Sequence, residues 1–280
     1  MSSGEGWLDR LRAATSARGR LCVGIDPHPG LLDAWGLTRD ADGLEKFAEI
    51  CVEAFVGEIA VVKPQVAFFE AYGSEGYAVL ERTITVLRDA GTLVIADAKR
   101  GDIGSTMTAY TQTWLGTDSS LSSDAVTVSP YLGFDSLNET FDTARQNSRG
   151  VFVLARTSNA EGAQLQGAVL QGAAGSGRSV SQSVVDGAAD ANSDGSATVG
   201  LVVGATRDHG LDLSGFTGPI LAPGLGAQGA SVADLAQIFE GSTALLLPNS
   251  SRGVLGVGPS VGALQDAAKS LRDEIEAGLA

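Results

Sequence analysis

The chain has 280 residues, 44% hydrophobic and 19% charged, which is enough for one large α/β domain or two smaller ones. Its formal net charge of −14 repels other polyanions, so we expect neither nucleic acid nor an anionic membrane surface as a partner. The chain has only two cysteines, Cys22 and Cys51, which are too few for a disulfide framework and favour a reducing compartment. The sequence shows no signal-peptide-like apolar segment and no apolar run long enough to span a membrane, so we expect a soluble, cytoplasmic chain.

Eight short apolar runs rich in β-branched residues predict strands, at 20–26, 60–65, 92–99, 125–130, 150–158, 199–206, 219–224 and 244–250. Segments with the apolar spacing of amphipathic helices lie between or after them, at 43–59, 76–90, 134–147, 231–240 and 260–278. Strands that are apolar on both faces and alternate with helices are typical of a parallel sheet. Eight such units predict a single-domain (β/α)₈ TIM barrel over residues 1–280. An open doubly wound sheet is the alternative, weakened because no G-x-G-x-x-G follows the first strand.

One segment interrupts this alternation. Residues 161–198 are rich in Gly, Ala, Ser and Gln and read as an insertion between the fifth and sixth strands. A connection of this length in a compact domain is usually functional or disordered, so a lid and a disordered insert remain equal alternatives. Its middle, SVSQSVVDGAADA at 179–191, has the pattern of one amphipathic helix.

Polar side chains collect where the predicted strands end. In a parallel barrel the carboxyl ends of the strands and the loops after them build the site. Any one of these residues has a bland explanation, such as an exposed ion pair between Asp97 and Lys99. A functional site explains so many polar residues at one rim of the barrel better than chance placement does. They are Asp26 after strand one, Lys63 on strand two, Asp97, Lys99 and Asp102 on and after strand three, Arg156 and Ser158 at strand five, and Arg252 after strand eight.

Two consecutive loops at this rim suggest a phosphate site. The glycine-rich segment 223–231 opens a helix, where backbone N–H groups can hold an anion, and Arg252 in 249–254 has the planar guanidinium that suits phosphate oxygens. The two histidines, His28 and His209, lie in different loops and form no ligand-spaced cluster. We therefore expect no metal and assign the chemistry to carboxylates and lysines.

At this point the motifs resemble a known family. DAKRGDIGST at 97–106 resembles the D-x-K-x-x-D-I signature of orotidine 5′-phosphate decarboxylases. Four further motifs resemble the same family in register, namely VGIDPHP, VVKPQVAFFE, LAPGLGAQG and PNSSRGV. The second and the last are most similar to its longer bacterial type (type 2). The resemblance covers roughly residues 18 to 256 and implies decarboxylation of orotidine 5′-monophosphate to UMP and CO₂, without metal or organic cofactor.

The resemblance also implies a role for individual residues. Lys99 would donate a proton to C6 of the pyrimidine, and Asp97 would face the substrate carboxylate. Lys63 and Asp102 would complete an alternating Lys–Asp–Lys–Asp chain. Asp102 would come from the partner subunit of a homodimer with shared sites, together with Ile103 and Thr106. The remaining contacts would be Asp26 at the ribose, Ser158 at the pyrimidine, and Gln228 and Arg252 at the phosphate, with Pro223 and Ser251 in the same two loops.

Two other functions compete with this interpretation. A sugar-phosphate lyase on the same barrel resembles the family through the D-x-K-x-x-D strand, but it needs Mg²⁺ held by carboxylates, one of them on strand two. Lys63 occupies that strand here and is a poor partner for a metal. The other alternative is a catalytically silent nucleotide-binding module, which would have no need for both lysines and both aspartates.

Overall fold

The computed structural model describes residues 6–171, 177–205, 209–226 and 229–279. Eight parallel strands follow one another in chain order around a closed barrel, and β1 pairs with β8 to close it. All eight predicted strands are confirmed, as is the barrel, and the open-sheet alternative is wrong. The strands are β1 (Cys22–Ile25), β2 (Val61–Pro64), β3 (Leu93–Arg100), β4 (Ala125–Val128), β5 (Gly150–Arg156), β6 (Val199–Val203), β7 (Ile220–Pro223) and β8 (Leu246–Ser250).

Helices precede the barrel and connect its strands. They are α1 (Trp7–Arg18), α2 (Pro29–Ala34), α3 (Ala41–Phe55), α4 (Val66–Glu70), α5 (Gly73–Asp89), α6 (Gly104–Leu115), α7 (Asn138–Gln146), α8 (Gly162–Gln166), α9 (Val180–Ala191), α10 (Val232–Ile238), α11 (Arg252–Leu255) and α12 (Val261–Gly278), with a 3₁₀ turn at Phe134–Leu137. The predicted 43–59 helix ends at Phe55, because the chain turns through Gly57 at a φ of 75°. In the segment 161–198, α9 is an ordinary outer helix with its apolar side against β5 and β6.

The core has two layers. The larger one lies between the sheet and the surrounding helices, where Trp35 stacks on Phe47 with ring centroids 4.3 Å apart. The smaller one fills the barrel interior and is closed by α1, which the sequence analysis did not predict. Trp7 of this helix meets Phe152 of β5 edge-on at 6.3 Å. The apolar residues of α1 recur at helical spacing, and they cover the end of the barrel opposite the carboxyl ends of the strands.

Side chains inside the barrel change from apolar to polar along the strands. Alternate residues of a strand share a face. On β3 the inward residues run from Leu93 and Ile95, in the interior core, to Asp97. On β2 the same step leads from Val61 to Lys63. The interior is therefore closed and apolar at the amino ends of the strands and polar at their carboxyl ends. In the described part of the chain, no helix has the length and apolar character needed to cross a bilayer.

Candidate active site

The centre of the polar end is one carboxylate held between two lysines. Lys63 Nζ lies 2.7 Å from Asp97 Oδ2, and Lys99 Nζ lies 2.6 Å from Asp97 Oδ1. Asp97 and Lys63 are buried, with 7% and 3% of their surface exposed, whereas the Lys99 side chain is 44% exposed. The structure thus brings together three residues that the sequence analysis selected from two strands. Lys63 is the buried counter-charge, and Lys99 is the cation that a ligand can reach.

The electrostatics of this cluster keep Asp97 and Lys63 charged. Burial alone would raise the pKa of Asp97, but Lys63 and Lys99 together hold that pKa well below its ordinary value. Burial alone would lower the pKa of Lys63, yet the charges of Asp97 and Asp26 raise it above its ordinary value. Both shifts favour the ionised forms at neutral pH. The site therefore holds a fixed carboxylate with an ammonium on each of its oxygens.

Two residues that the sequence analysis did not select complete the cluster. Thr127 of β4 donates its hydroxyl to Asp97 Oδ1 at 2.9 Å and accepts a hydrogen bond from the Lys99 backbone N–H, also at 2.9 Å. Gln65, just after β2, donates to the Asp97 carbonyl at 3.4 Å, and Lys63 Nζ lies 3.5 Å from its Oε1. The alternation of side chains along a strand could have identified both residues. Thr127 points to the same inward face as Ala125, and Gln65 points to the same inward face as Lys63.

A second group of polar atoms lies at the junction of β8 and β1. Asp26 Oδ1 and Ser251 Oγ are both buried, and neither has a hydrogen-bond partner among the described residues. Both lie beside Gly24, where an added Cβ would stand 2.8 Å from Ser251 Cβ and 3.2 Å from Asp26 Oδ1. Buried polar atoms in native proteins are nearly always satisfied. These two therefore form a place where a ligand hydroxyl would find an acceptor and a second polar partner.

The described residues of the two predicted phosphate loops lie at the ends of β7 and β8. Pro223 ends β7 and pairs with Asn249 of β8, and Arg252 begins α11 with its side chain exposed. Gln228 lies outside the described residues. Ser158 follows β5, and its backbone N would lie 2.9 Å from a Cβ placed on Gly204, so the ends of β5 and β6 approach closely there.

Asp102, Ile103 and Thr106 do not join the Lys63–Asp97–Lys99 cluster in this chain. The Asp102 carboxylate accepts a hydrogen bond at 2.8 Å from the backbone N–H of Ile103. Ile103 is 62% exposed, and Thr106 is also exposed, in the first turn of α6. The described residues contain no group of three or more His, Cys, Asp or Glu side chains arranged to hold a metal ion. The chemistry that this arrangement offers is stabilisation of negative charge by Lys99, followed by proton transfer from it.

Comparison with known proteins gives a consistent picture. The profile of the orotidine 5′-phosphate decarboxylase / HUMPS family matches residues 19–267. The chain is 54% identical to an orotidine 5′-phosphate decarboxylase from Corynebacterium efficiens over 267 residues, which cover 94% of this chain and 92% of that protein. It is 51% identical to the corresponding protein of Corynebacterium glutamicum strain R over 271 residues, which cover 95% and 96% of the two chains.

Solved structures agree with the sequence comparisons. A Streptomyces avermitilis protein, described as an orotidine 5′-phosphate decarboxylase, superposes with a TM-score of 0.91 at 49% identity and covers 98% of this chain and 96% of its own. An orotidine 5′-monophosphate decarboxylase from Methanocaldococcus jannaschii, complexed with the inhibitor BMP, has a TM-score of 0.61 at 17% identity and covers 91% and 98%. The second likeness, at such low identity, shows a shared fold alone.

Proposed function

The chain belongs to the orotidine 5′-phosphate decarboxylase family, and from that premise we propose that Lys63, Asp97 and Lys99 are its catalytic residues. The protein is a carboxy-lyase that converts orotidine 5′-monophosphate to UMP and CO₂, the last step of de novo pyrimidine nucleotide biosynthesis. The residue assignment rests on one observation, the buried carboxylate of Asp97 with an ammonium on each oxygen. Only one of those ammonium groups, that of Lys99, is accessible from the rim.

In the proposed mechanism, Lys99 acts twice. When the bond between C6 and the carboxylate breaks, its electron pair stays on C6 and neutral CO₂ departs. The Lys99 ammonium stabilises this developing negative charge, an interaction that is strongest in the transition state and therefore lowers the barrier. A proton then passes from Lys99 Nζ to C6, which forms UMP and leaves a neutral amine that solvent reprotonates. The contact between Lys99 Nζ and Asp97 Oδ1, at 2.6 Å, holds the ammonium group in place beside the reacting carbon.

Asp97 and Lys63 prepare the site for this step. Asp97 would face the substrate carboxylate, and that repulsion is relieved when neutral CO₂ leaves. Lys63 lies behind Asp97, almost entirely buried, and balances the Asp97 charge. The two lysines hold the pKa of Asp97 low against the effect of burial, so the carboxylate stays ionised beside a second anion.

The rest of the substrate would bind along the rim towards β7 and β8. Asp26 Oδ1 and Ser251 Oγ, both buried without a partner among the described residues, would hydrogen-bond the ribose side of the nucleotide. Arg252 would bind the phosphate together with the loop after Pro223 and with Gln228, and Ser158 would contact the pyrimidine. Binding free energy from this remote phosphate can hold the reacting ring in place and exclude water around it.

We also propose a homodimer in which each site uses residues of both subunits. Asp102, Ile103 and Thr106 would reach into the neighbouring site. Support comes from the exposed apolar side chains after two adjacent strands, Ile103 after β3 and Tyr131 and Leu132 after β4, which are 62%, 74% and 51% exposed. These loops lie at one edge of the barrel because parallel strands end together.

Complementation between two inactive variants tests the shared site. In a mixed dimer of Lys99→Ala with Asp102→Ala, one site collects both defects and the other collects neither. Random mixing should restore roughly a quarter of wild-type activity, because half of the dimers are mixed and each has one intact site of two. Co-purification of a tagged partner must show that subunits exchange. With exchange shown and no activity restored, Asp102 serves its own subunit.

A direct assay tests the function and its rivals together. Purified protein should consume orotidine 5′-monophosphate, seen as loss of its ultraviolet absorbance, at the same rate with and without EDTA. Loss of activity in EDTA would favour a Mg²⁺-dependent mechanism, and no turnover at all would favour a silent nucleotide-binding module. We further infer a single-domain chain, supported by the one closed barrel, and a cytoplasmic location, supported by the buried, unpaired Cys22 and Cys51.

A further inference from the structure

We infer that Thr127 is a positioning residue that fixes the ammonium group of Lys99. It does so by binding the backbone N–H of Lys99 and the Asp97 carboxylate that holds the Lys99 side chain. The inference rests on the proposed roles of Lys99 and Asp97 and adds a residue to them. Thr127 lies on β4, one strand away, and its surface is completely buried. It reaches the reaction only through the two residues it holds.

The direction of both hydrogen bonds follows from their chemistry. The Lys99 backbone N–H can only donate, so the Thr127 hydroxyl oxygen accepts from it at 2.9 Å. The single hydroxyl hydrogen is then left for Asp97 Oδ1, which accepts it at 2.9 Å. The same Oδ1 accepts from Lys99 Nζ at 2.6 Å. One hydroxyl therefore binds the backbone of Lys99 and the carboxylate that holds its side chain.

The backbone at Lys99 needs such a partner. Its φ of 47° places a non-glycine residue in the left-handed region, which costs free energy and persists only where the surroundings impose it. The pairing between β3 and β4 is irregular at this point, since Ala96 pairs with Val126 but Arg100 with Val128. From one pair to the next, the chain thus moves four residues along β3 but only two along β4, so β3 bulges here. The Thr127 side chain, rather than a β4 carbonyl, receives the Lys99 N–H in this irregular stretch.

This arrangement has a specific consequence for turnover. Without the hydroxyl, the bulged backbone at Lys99 loses its anchor and Asp97 Oδ1 loses a neutral donor, so the ammonium is less sharply placed. The placement matters most when charge develops on C6, whereas substrate binding depends mainly on the ribose and phosphate contacts. The defect should therefore appear in kcat and leave KM nearly unchanged.

Three variants test the inference. Thr127→Val removes the hydroxyl at similar volume and should lower kcat by roughly 10- to 100-fold, the range for loss of one hydrogen bond to a charged group, with KM within about threefold of wild type. Thr127→Ser keeps the hydroxyl and should restore kcat to within about threefold. The matched control is Thr83→Val, because Thr83 is also buried and donates its hydroxyl to a carbonyl at 2.8 Å, but on α5. It should lower Tm without lowering kcat.

Amide hydrogen exchange gives a second measurement that does not depend on turnover. The Lys99 N–H should exchange slowly in wild type and in Thr127→Ser, and at least tenfold faster in Thr127→Val; Thr127→Ala replaces the valine variant if that one does not fold. The inference is overturned if the hydroxyl-free variant keeps wild-type kcat, if Thr127→Ser is equally impaired, or if Lys99 exchange is unchanged. Those results leave wild-type decarboxylation standing, whereas inactive wild-type protein would count against the proposed function itself.

Discussion

Lys63 and Lys99 bind the same carboxylate at nearly equal distances, yet their removal should affect stability very differently. The side chains of Lys63 and Asp97 are 4% and 8% exposed, whereas that of Lys99 is 44% exposed. The matched perturbation is replacement of each lysine by methionine, which keeps most of the unbranched side chain, one atom shorter, and removes its charge. A third lysine, Lys46, pairs with Glu49 on the surface, with side chains 59% and 58% exposed, and provides the control.

Burial sets the expected magnitudes. Removing the buried partner of a buried ion pair costs about 3–5 kcal/mol, and without Lys63 the buried Asp97 carboxylate keeps only the half-exposed Lys99 as a counter-charge. Lys63→Met should therefore lower Tm by roughly 6–20 °C, since a loss of about 1 kcal/mol in the free energy of unfolding lowers Tm by about 2–4 °C in proteins of roughly 150–250 residues. Lys99→Met leaves Asp97 paired with Lys63, and its own pair is partly screened by solvent, so the loss should be about 1 kcal/mol or less. Lys46→Met should leave Tm unchanged within error.

Thermal unfolding followed by circular dichroism, with urea unfolding as a second measure, distinguishes these outcomes. A further variant makes the test specific to charge: combining Lys63→Met with Asp97→Asn should recover much of the loss, because the buried carboxylate that lost its buried counter-charge is gone. If Lys63→Met is no less stable than Lys99→Met, burial of the pair does not govern its energetics and the reasoning is refuted. If the double variant is the least stable of all, packing rather than charge holds Lys63 in place.

Four further outcomes follow from the site. Lys99→Ala should reduce turnover at least 10²- to 10⁴-fold, the range for proton transfer alone, with an unchanged dichroism spectrum; turnover within tenfold of wild type would remove Lys99 from the mechanism. Arg252→Ala should weaken transition-state binding by roughly 2–5 kcal/mol, and an equal defect on a substrate lacking the phosphate would contradict its role. Burial raises the pKa of Asp97, but the two lysines lower it further, so the carboxylate should stabilise the fold fully above about pH 4 and lose that contribution as the pH falls through its folded-state pKa. Lys63→Met should make the free energy of unfolding depend less on pH in this acidic range. An unchanged pH dependence would count against the pairing. Burial raises the pKa of Cys22 to about 12, so a thiol reagent should react with it only after unfolding; rapid labelling of native protein would contradict this.

Much of the architecture is predictable from sequence because it depends on local periodicity. Buried parallel strands leave continuous apolar runs, and amphipathic helices leave a spacing of three to four, so the eight β/α units could be located without coordinates. The same periodicity placed Asp97 and Lys99 on one face of β3, two residues apart. The helix α1 was missed although Trp7 and Leu11 have helical spacing, because nothing local indicates which surface such a helix covers.

Tertiary structure alone decided how the strand ends meet. Lys63 and Asp97 lie 34 residues apart in the chain, and only the pairing of β2 with β3 and its register bring Lys63 Nζ within 2.7 Å of that carboxylate. Burial is equally non-local: each of Lys63 and Lys99 follows an apolar strand run in the sequence, but the fold encloses Lys63 and leaves Lys99 at the rim. Thr127 joins the site because of an irregular pairing between β3 and β4. Periodicity is a property of neighbouring residues, whereas distance and solvent exclusion belong to the closed barrel as a whole.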